Sequence, residues 1–401
     1  MKRPISDVRV LRSGQDLEVR ARTGISLHCH TLHSKEILDF VPYYAERIPI
    51  LSGIWRRSME KRERENGRRP DFTRGYWEPP LSAECVFLSE GSQIRSLGLD
   101  PLVSITDHDS IEAGMELADE EIPVSMEWTV PFREAFFHIG VHNLPCGQEA
   151  EMAKIMLEFT FAKGRPDEQK LRYLLDSLAQ FEDLLIVLNH PIWDIEMIGQ
   201  QAHERSLREF LALFKDHIHA LEVNGFRSWS ENLQVIELAL QIGLPVVSGG
   251  DRHCCRPNTM INISEAATFS EFVYEVRSER RSRVIVLPEY NVPLPSRQLA
   301  SIKHILSNDI SCGEGRENWT DRVFVDDGYG SVRSLASHWN RRQPAWTYIL
   351  FAVLNVLAHP LMQPILATTI GDNDIGRDDG RSYKPTKSDR MVEFLNPTSS
   401  A

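Results

Sequence analysis

The chain has 401 residues, enough to bury a large core and longer than one typical domain. Asp and Glu outnumber Lys and Arg 57 to 45, a formal charge of −12, which argues against a general nucleic-acid binder because such proteins carry a basic surplus. Six cysteines in a chain this long make no disulfide framework. Cys254 and Cys255 are adjacent, a poor geometry for pairing, and reduced thiols in the cytoplasm are the expectation.

The opening "MKRPISDVRVLRSGQDLEVRARTG" has early basic residues but no apolar h-region and does not read as a signal peptide. Over 21–40 and 81–290 the chain alternates strand-like and helix-like stretches. "GISLHCH", "DPLVSIT", "IPVSME", "FFHIGVH", "DLLIVLNH", "HIHALEVNG", "LPVVSGG" and "SRVIVLP" are short apolar runs ended by Gly, Asn, Asp or His. Helical patterns lie between several of them, such as "SENLQVIELALQIG" with Leu233, Ile236 and Leu240 on one face. This alternation predicts a parallel sheet, open or closed into a barrel. In parallel α/β barrels the chemistry gathers at the carboxyl ends of the strands.

Residues 37–80 interrupt the pattern. "WRRSMEKRERENGRRPDF" holds Arg56, Arg57, Lys61, Arg62, Arg64, Arg68 and Arg69, interleaved with Glu60, Glu63 and Glu65. It reads as a solvated charged helix or, alternatively, as a basic flap over an anionic substrate. "PEYNVPLPSR" reads as a linker because its prolines discourage regular structure, followed by a mostly helical extension to about 370. Within it the apolar stretch Trp346–Ala358 falls short of the ~20 residues of a membrane span, and His359, Pro360, Gln363 and Pro364 then break it. A buried helix or an oligomer contact is the expectation there. The polar tail "GDNDIGRDDGRSYKPTKSDR" lacks an apolar pattern and reads as disordered.

Histidines and carboxylates recur where the apolar runs end. They are His28 and His30 in "SLHCHT", Asp107 and His108 in "VSITDHDS", Glu127 in "PVSMEW", His138 in "FFHIGVH", His190 in "LIVLNHP", and Asp251 and His253 in "VVSGGDRH". Imidazole mixed with carboxylate is the ligand chemistry of Zn, Mn or Fe, and so many at strand ends point to one polynuclear site. His28 and His30 are two apart on a strand and share a face, with Cys29 pointing away. Gly249 and Gly250 allow a close approach before Asp251, and Pro191 keeps Asn189 and His190 out of helix. Glu127 is a lone acid after an apolar strand, costly unless paired, and bridging two cations would satisfy it. Asp107 reads as a carboxylate partner behind an imidazole ligand, and Asp109 as a helix cap before "IEAGMEL". His142 competes with His138. A second H-x-H, His217 and His219, precedes its apolar run and is assigned a structural role.

In order, the motifs H-x-H, T-D-H, a lone Glu, a lone His, N-H-P and D-x-H resemble the PHP family (polymerase and histidinol phosphatase). The resemblance covers roughly 21–290, including "GLDPLVSITDHDSIEAGMEL", but not 37–80 or the C-terminal hundred residues. It implies an α/β fold, a distorted (β/α)7 barrel over 1–290, to which the chain's own pattern adds a mostly helical extension at 291–370 and a tail at 371–401. It also implies two to three divalent transition metals (Zn, Mn or Fe) and hydrolysis of a phosphoester by a metal-bridging hydroxide. Carried over residue by residue, His28, His30, Glu127 and Asp251 would hold a first metal. Glu127 would bridge to a second, completed by His138 and His190. His108, His253 and Glu36, with His33 as the alternative to Glu36, would hold a third. The chain departs from the family at Ser34, Lys35 and Glu36, where Ser-Asp-Gly is usual, at Leu27 after Ser26, where an Asp is common, and at Arg252, where a small residue is usual. Glu127, Asp251 and His253 would form the catalytic centre. Arg252, or failing that Arg227, would supply positive charge to the phosphate. The expected substrate is a small phosphorylated metabolite or nucleotide. The alternatives are 3′ exonuclease action, supported only by the basic insertion, and a scaffold that keeps the barrel without catalysis.

Overall fold

The computed structural model describes residues 5–11, 20–47, 49–69, 71–117, 122–254, 256–308, 316–326, 329, 331–340 and 342–369. Cys255 and the tail at 371–401 lie outside the described residues. In chain order the strands are β1 (Ile5–Val10), β2 (Thr23–Ser26), β3 (Glu36–Ile37), β4 (Tyr76–Trp77), β5 (Asp100–Val103), β6 (Met126–Phe132), β7 (Ala135–His142), β8 (Leu185–Leu188), β9 (Ala220–Asn224), β10 (Val246–Gly249), β11 (Met260–Ser264), β12 (Arg281–Val286), β13 (Val323–Asp326) and β14 (Val332–Ser334). They form two five-stranded sheets, ordered β1-β12-β11-β2-β5 and β10-β9-β8-β7-β6, and a small sheet ordered β14-β13-β4-β3.

The apolar runs become strands buried along their whole length, as in β8, β9 and β10, the pattern of a sheet covered on both faces. Aromatic side chains Trp128, Phe132, Phe137, Phe210 and Phe214 fill the core beside the second sheet. The sheets are mixed, where the alternation predicts parallel pairing. β2/β5, β8/β9 and β9/β10 are parallel, whereas β6/β7 and β7/β8 are antiparallel. Only Arg133 and Glu134 separate β6 from β7, and Arg133 has φ 56°. So short a turn can join only antiparallel neighbours.

Neither large sheet closes on itself. They meet through two single-residue bridges, Cys29 with Arg252 and His108 with Glu127. Both bridges lie among the expected metal ligands, where the chain leaves regular strand geometry to aim side chains inward.

The helix Trp229–Ile242 follows its sequence signals closely. Ser228 and Glu231 form a capping box, and Gly243 ends the helix at φ 76°. Its buried side includes Asn232, Val235, Ile236 and Ala239, whereas Leu240 is exposed. The charged insertion forms the helix Pro49–Asn66, with Lys61 3.8 Å from Glu65, in agreement with a solvated charged helix.

The segment after residue 287 is packed rather than free. Tyr290 is fully buried and its hydroxyl donates to Arg227 O at 2.7 Å, before the helix Leu294–Ile305. The extension also contains β13 and β14, which its sequence does not announce. The apolar helix Ala345–Leu357 stops where His359 and Pro360 follow. It is buried on one side only, with Leu354 inside and Tyr348, Ile349, Val353 and Val356 exposed. Among the described residues no single helix is long and apolar enough to cross a membrane, and the pair Thr347–Leu357 and Pro360–Ala367 is bent by 66°. Cys29, Cys146 and Cys254 are free. Cys85 is disulfide-bonded, so the expectation of reduced thiols throughout fails there.

Candidate metal centre

Glu127, near the start of β6 and wholly inaccessible, is the hub of the centre. Its Oε2 lies 3.1 Å from His28 Nε2 and 3.2 Å from His108 Nδ1. Its Oε1 lies 3.3 Å from both His138 Nδ1 and His190 Nε2. Asp251 Oδ1 stands 3.7 Å from His30 Nε2 and 3.6 Å from His253 Nδ1. Glu36 reaches His253 Nε2 at 3.2 Å with Oε1 and His108 Nε2 at 3.3 Å with Oε2. All nine expected ligands converge. They form four overlapping groups whose ligand atoms lie within 4.8 Å of one another: His30, Glu36, His108, His253; His28, His30, Asp251; His28, Glu127, His190; and His108, Glu127, His138.

Local backbone geometry delivers these side chains. His190 and Asp251 have φ of 28° and 51°, a region costly for residues with a Cβ and usually kept where surrounding structure over-determines it. Both follow strands and turn their side chains back into the centre. Glu127 and His138 instead lie inside the β6–β7 hairpin, so they are not at strand ends. A Cβ at Gly249 would overlap the Glu222 carboxylate and approach the His28 Cβ to 2.8 Å, so the glycine is needed for close approach.

Several expected roles change. Arg252 is turned from the centre: its Nη1 is 2.6 Å from Glu90, its Nη2 donates to Ser89 Oγ at 2.7 Å, and its Nε donates to Cys254 O at 3.2 Å. The buried Glu90 holds it there. Arg227 faces the centre, 3.7 Å from Asp251 Oδ2, with its guanidinium 3.3 Å above the Trp193 ring and a buried Nε that has no hydrogen-bond partner among the described residues. Asp107 accepts from Thr31 N at 2.5 Å and Thr31 Oγ1 at 2.6 Å, so it fastens the loop after His30 instead of backing an imidazole. Asp109 accepts from Thr129 N at 2.9 Å and does not cap the helix Glu112–Glu116, whose first flanking residue is Ile111. His142 bonds Ser104 Oγ at 2.8 Å, and His33 pairs with Glu116 at 2.9 Å; both lie outside the ligand groups. His217 pairs with Asp176 at 2.7 Å, and His219 Nδ1 accepts from Ile186 N at 2.9 Å, the structural roles assigned to them.

Sequence reading misses Glu222, which is buried on β9. Its Oε1 is 2.6 Å from His28 Nδ1, and its Oε2 accepts from His190 N at 2.8 Å. It therefore fixes the ring that presents Nε2 to the centre, the usual arrangement behind a metal-ligating histidine. Asn189 also escapes the reading; its Nδ2 donates to Glu127 Oε1 at 2.9 Å. Glu222 could have been found by the signal that found Glu127, a lone acid in an apolar strand.

Electrostatics fit cations. Burial opposes ionisation of Glu127, yet His28, His108 and His138 hold its carboxyl well below the usual range. Burial likewise opposes charge on Asp251, and His30, His28 and His253 overcome it. Burial lowers His30 to about 3 and His138 to about 4, leaving both as neutral imidazoles with lone pairs to donate. Burial also works against the charged form of His108, but Glu36 and Glu127 push it up to about 10. Buried carboxylates that draw protons onto neighbouring imidazoles are compensated better by divalent cations, and imidazole with carboxylate is a suitable donor set.

No family profile and no curated protein sequence matches the chain. Several solved structures resemble it, three of which follow. A provisionally named metal-dependent phosphoesterase from Bifidobacterium adolescentis shares 14% identity over 47% of this chain and 88% of its own, with a TM-score of 0.28. PsfC from Pseudomonas syringae shares 13% over 68% of this chain and 95% of its own, with a TM-score of 0.32. A two-domain protein from Bacteroides vulgatus, containing a predicted PHP-like metal-dependent phosphoesterase, shares 13% over 50% of this chain and 61% of its own, with a TM-score of 0.31. The chain's structural neighbours thus include proteins named as metal-dependent phosphoesterases, one of them PHP-like.

Proposed function

We propose that the protein is a metal-dependent hydrolase of phosphoesters, acting on a small phosphorylated metabolite or nucleotide. The observation that carries this reading is the buried Glu127 carboxylate within 3.5 Å of five imidazoles, those of His28, His30, His108, His138 and His190, a bridging position between cations. His28, His30, Glu127 and Asp251 would hold one ion, Glu127, His138 and His190 a second, and Glu36, His108 and His253 a third. Divalent Zn, Mn or Fe held there would furnish a hydroxide nucleophile at neutral pH and offset charge on phosphoryl oxygens.

The chain's own groups do the rest. Glu222 sets the His28 tautomer, and Asn189 orients Glu127. Arg227, braced on Trp193 and 3.7 Å from Asp251, would bring its positive charge to a phosphate in place of Arg252. The family's distorted seven-strand barrel is supported by the two bridges, which link β5 to β6 and β2 to β10 in the circuit β2, β5, β6, β7, β8, β9, β10.

A small substrate fits better than nucleic acid because the chain is acidic, with a formal charge of −12, and part of the insertion's positive charge is engaged within the protein. Arg68 and Arg74 pair with Asp326, and Arg69 pairs with Glu63. Protein loaded with Zn, Mn or Fe is assayed against phosphomonoesters, phosphodiesters and single-stranded oligonucleotides. Release of phosphate or alcohol from small esters, abolished in Glu127→Ala, is expected. Oligonucleotide degradation that falls steeply with salt would move the reading to nucleic-acid processing. A fully metal-loaded protein inert toward the whole panel would defeat it.

A further inference from the structure

We propose that Phe324 and Asp326 in the C-terminal extension are positioning residues for Glu36, so that the extension controls the third cation position. The inference rests on the metal-centre reading above. Glu36 sits on β3, a two-residue strand whose neighbour β4 is equally short. A pair that short is not stable by itself in water. β13 supports it: Val323 and Phe324 pair with Trp77 and Tyr76, and Trp77 pairs in turn with Glu36.

Side chains tie the same pieces together. Phe324 stacks on Tyr76 with ring centroids 4.6 Å apart and planes 15° from parallel. Asp326 is buried, and its carboxylate accepts from Arg68 Nη2 at 2.9 and 3.1 Å and from Arg74 Nη1 at 3.5 Å, which ties Arg68 and Arg74 of the insertion to β13. Arg316 reaches back to Glu78 at 2.8 Å and to Leu32 O at 3.2 Å, closing the loop that runs from His30 to Glu36. Trp77, opposite Glu36 in register, also tilts against the His253 ring at 5.5 Å. The remaining ligands come from the two large sheets and the loops that leave them. Glu36 alone among the nine is presented by a sheet whose longest strand belongs to the extension. Disturbing β13 should therefore release one ion and leave the others.

The test uses the full-length chain, loaded with Mn or with Zn, freed of excess metal by gel filtration and analysed for metal per chain beside its urea-unfolding curve. Phe324→Ala and Asp326→Asn are expected to bind their most weakly held ion about 10–100-fold less tightly and to lose close to one ion per chain, as Glu36→Gln does, while the other ions stay. Phe324→Tyr, which keeps the stack, is expected to retain the wild-type complement. If Phe324→Ala unfolds, Phe324→Leu, which keeps apolar volume without the ring, takes its place with the same expectation. The inference is overturned if Glu36→Gln loses an ion while the Phe324 and Asp326 variants keep the full wild-type count. A wild-type chain that binds no metal, or a Glu36→Gln chain that loses none, instead overturns the third-position reading and this inference with it.

Discussion

Glu222 Oε1 lies 2.6 Å from His28 Nδ1, and both groups are buried. The contact leaves only Nε2 of His28 to face Glu127 and fixes which nitrogen a cation meets. Glu222→Gln keeps the shape but weakens the acceptor. Metal affinity, read by competition with a chelator, is expected to fall about 10–100-fold with little change in overall fold. Unchanged affinity would remove Glu222 from the centre.

Arg227 and Arg252 are separable by what their loss disturbs. Arg227→Met removes a charged donor aimed at the centre, a contact of about 1.5–3 kcal/mol, so kcat/KM for phosphoesters should drop about 10–100-fold. Arg252→Met strands the buried Glu90, and breaking such a pair typically costs about 3–5 kcal/mol. Its signature is a lower urea midpoint. Interchanged signatures would return the substrate-binding role to Arg252.

Gly249 lies where a side chain has no room. Gly249→Ala pushes a Cβ into Glu222 and His28, and overpacking of this kind costs about 1–3 kcal/mol. Unfolding at lower urea together with weaker metal binding is expected. Wild-type values for both would show that the strand shifts freely.

Much of the converging cluster is readable from the chain because all of its members but Glu36 follow apolar runs. Two features escape that reading. The antiparallel β6–β7 hairpin is set by a two-residue turn, Arg133 and Glu134, that carries neither Asn nor Gly. The small sheet consists of two-residue strands, too short for any periodicity to register, yet it presents Glu36. Arg252 misleads for a different reason: proximity in sequence to Asp251 and His253 says nothing of the buried Glu90 that claims it. The tertiary partner decides the role.

His142 and His219 give the fold an acid limit. Burial lowers both to about 3, below the ~6.5 of an unfolded histidine. The unfolded chain therefore takes up their protons first. Their contribution is fully present above about pH 6.5 and is lost as pH falls toward 3, at up to ~1.4 kcal/mol per pH unit for each. With metal removed by chelator, His142→Gln and His219→Gln should each show a shallower decline of stability between pH 6.5 and 4 than the parent chain. Parallel declines in urea titrations would contradict this assignment.

The account turns on cations at Glu127, and metal analysis tests it most directly. Wild-type protein exposed to Zn, Mn and Fe and then freed of excess should carry two to three ions per chain, and Glu127→Ala should lose metal and phosphoester hydrolysis together. A folded wild-type chain that retains no metal under those conditions would contradict the account.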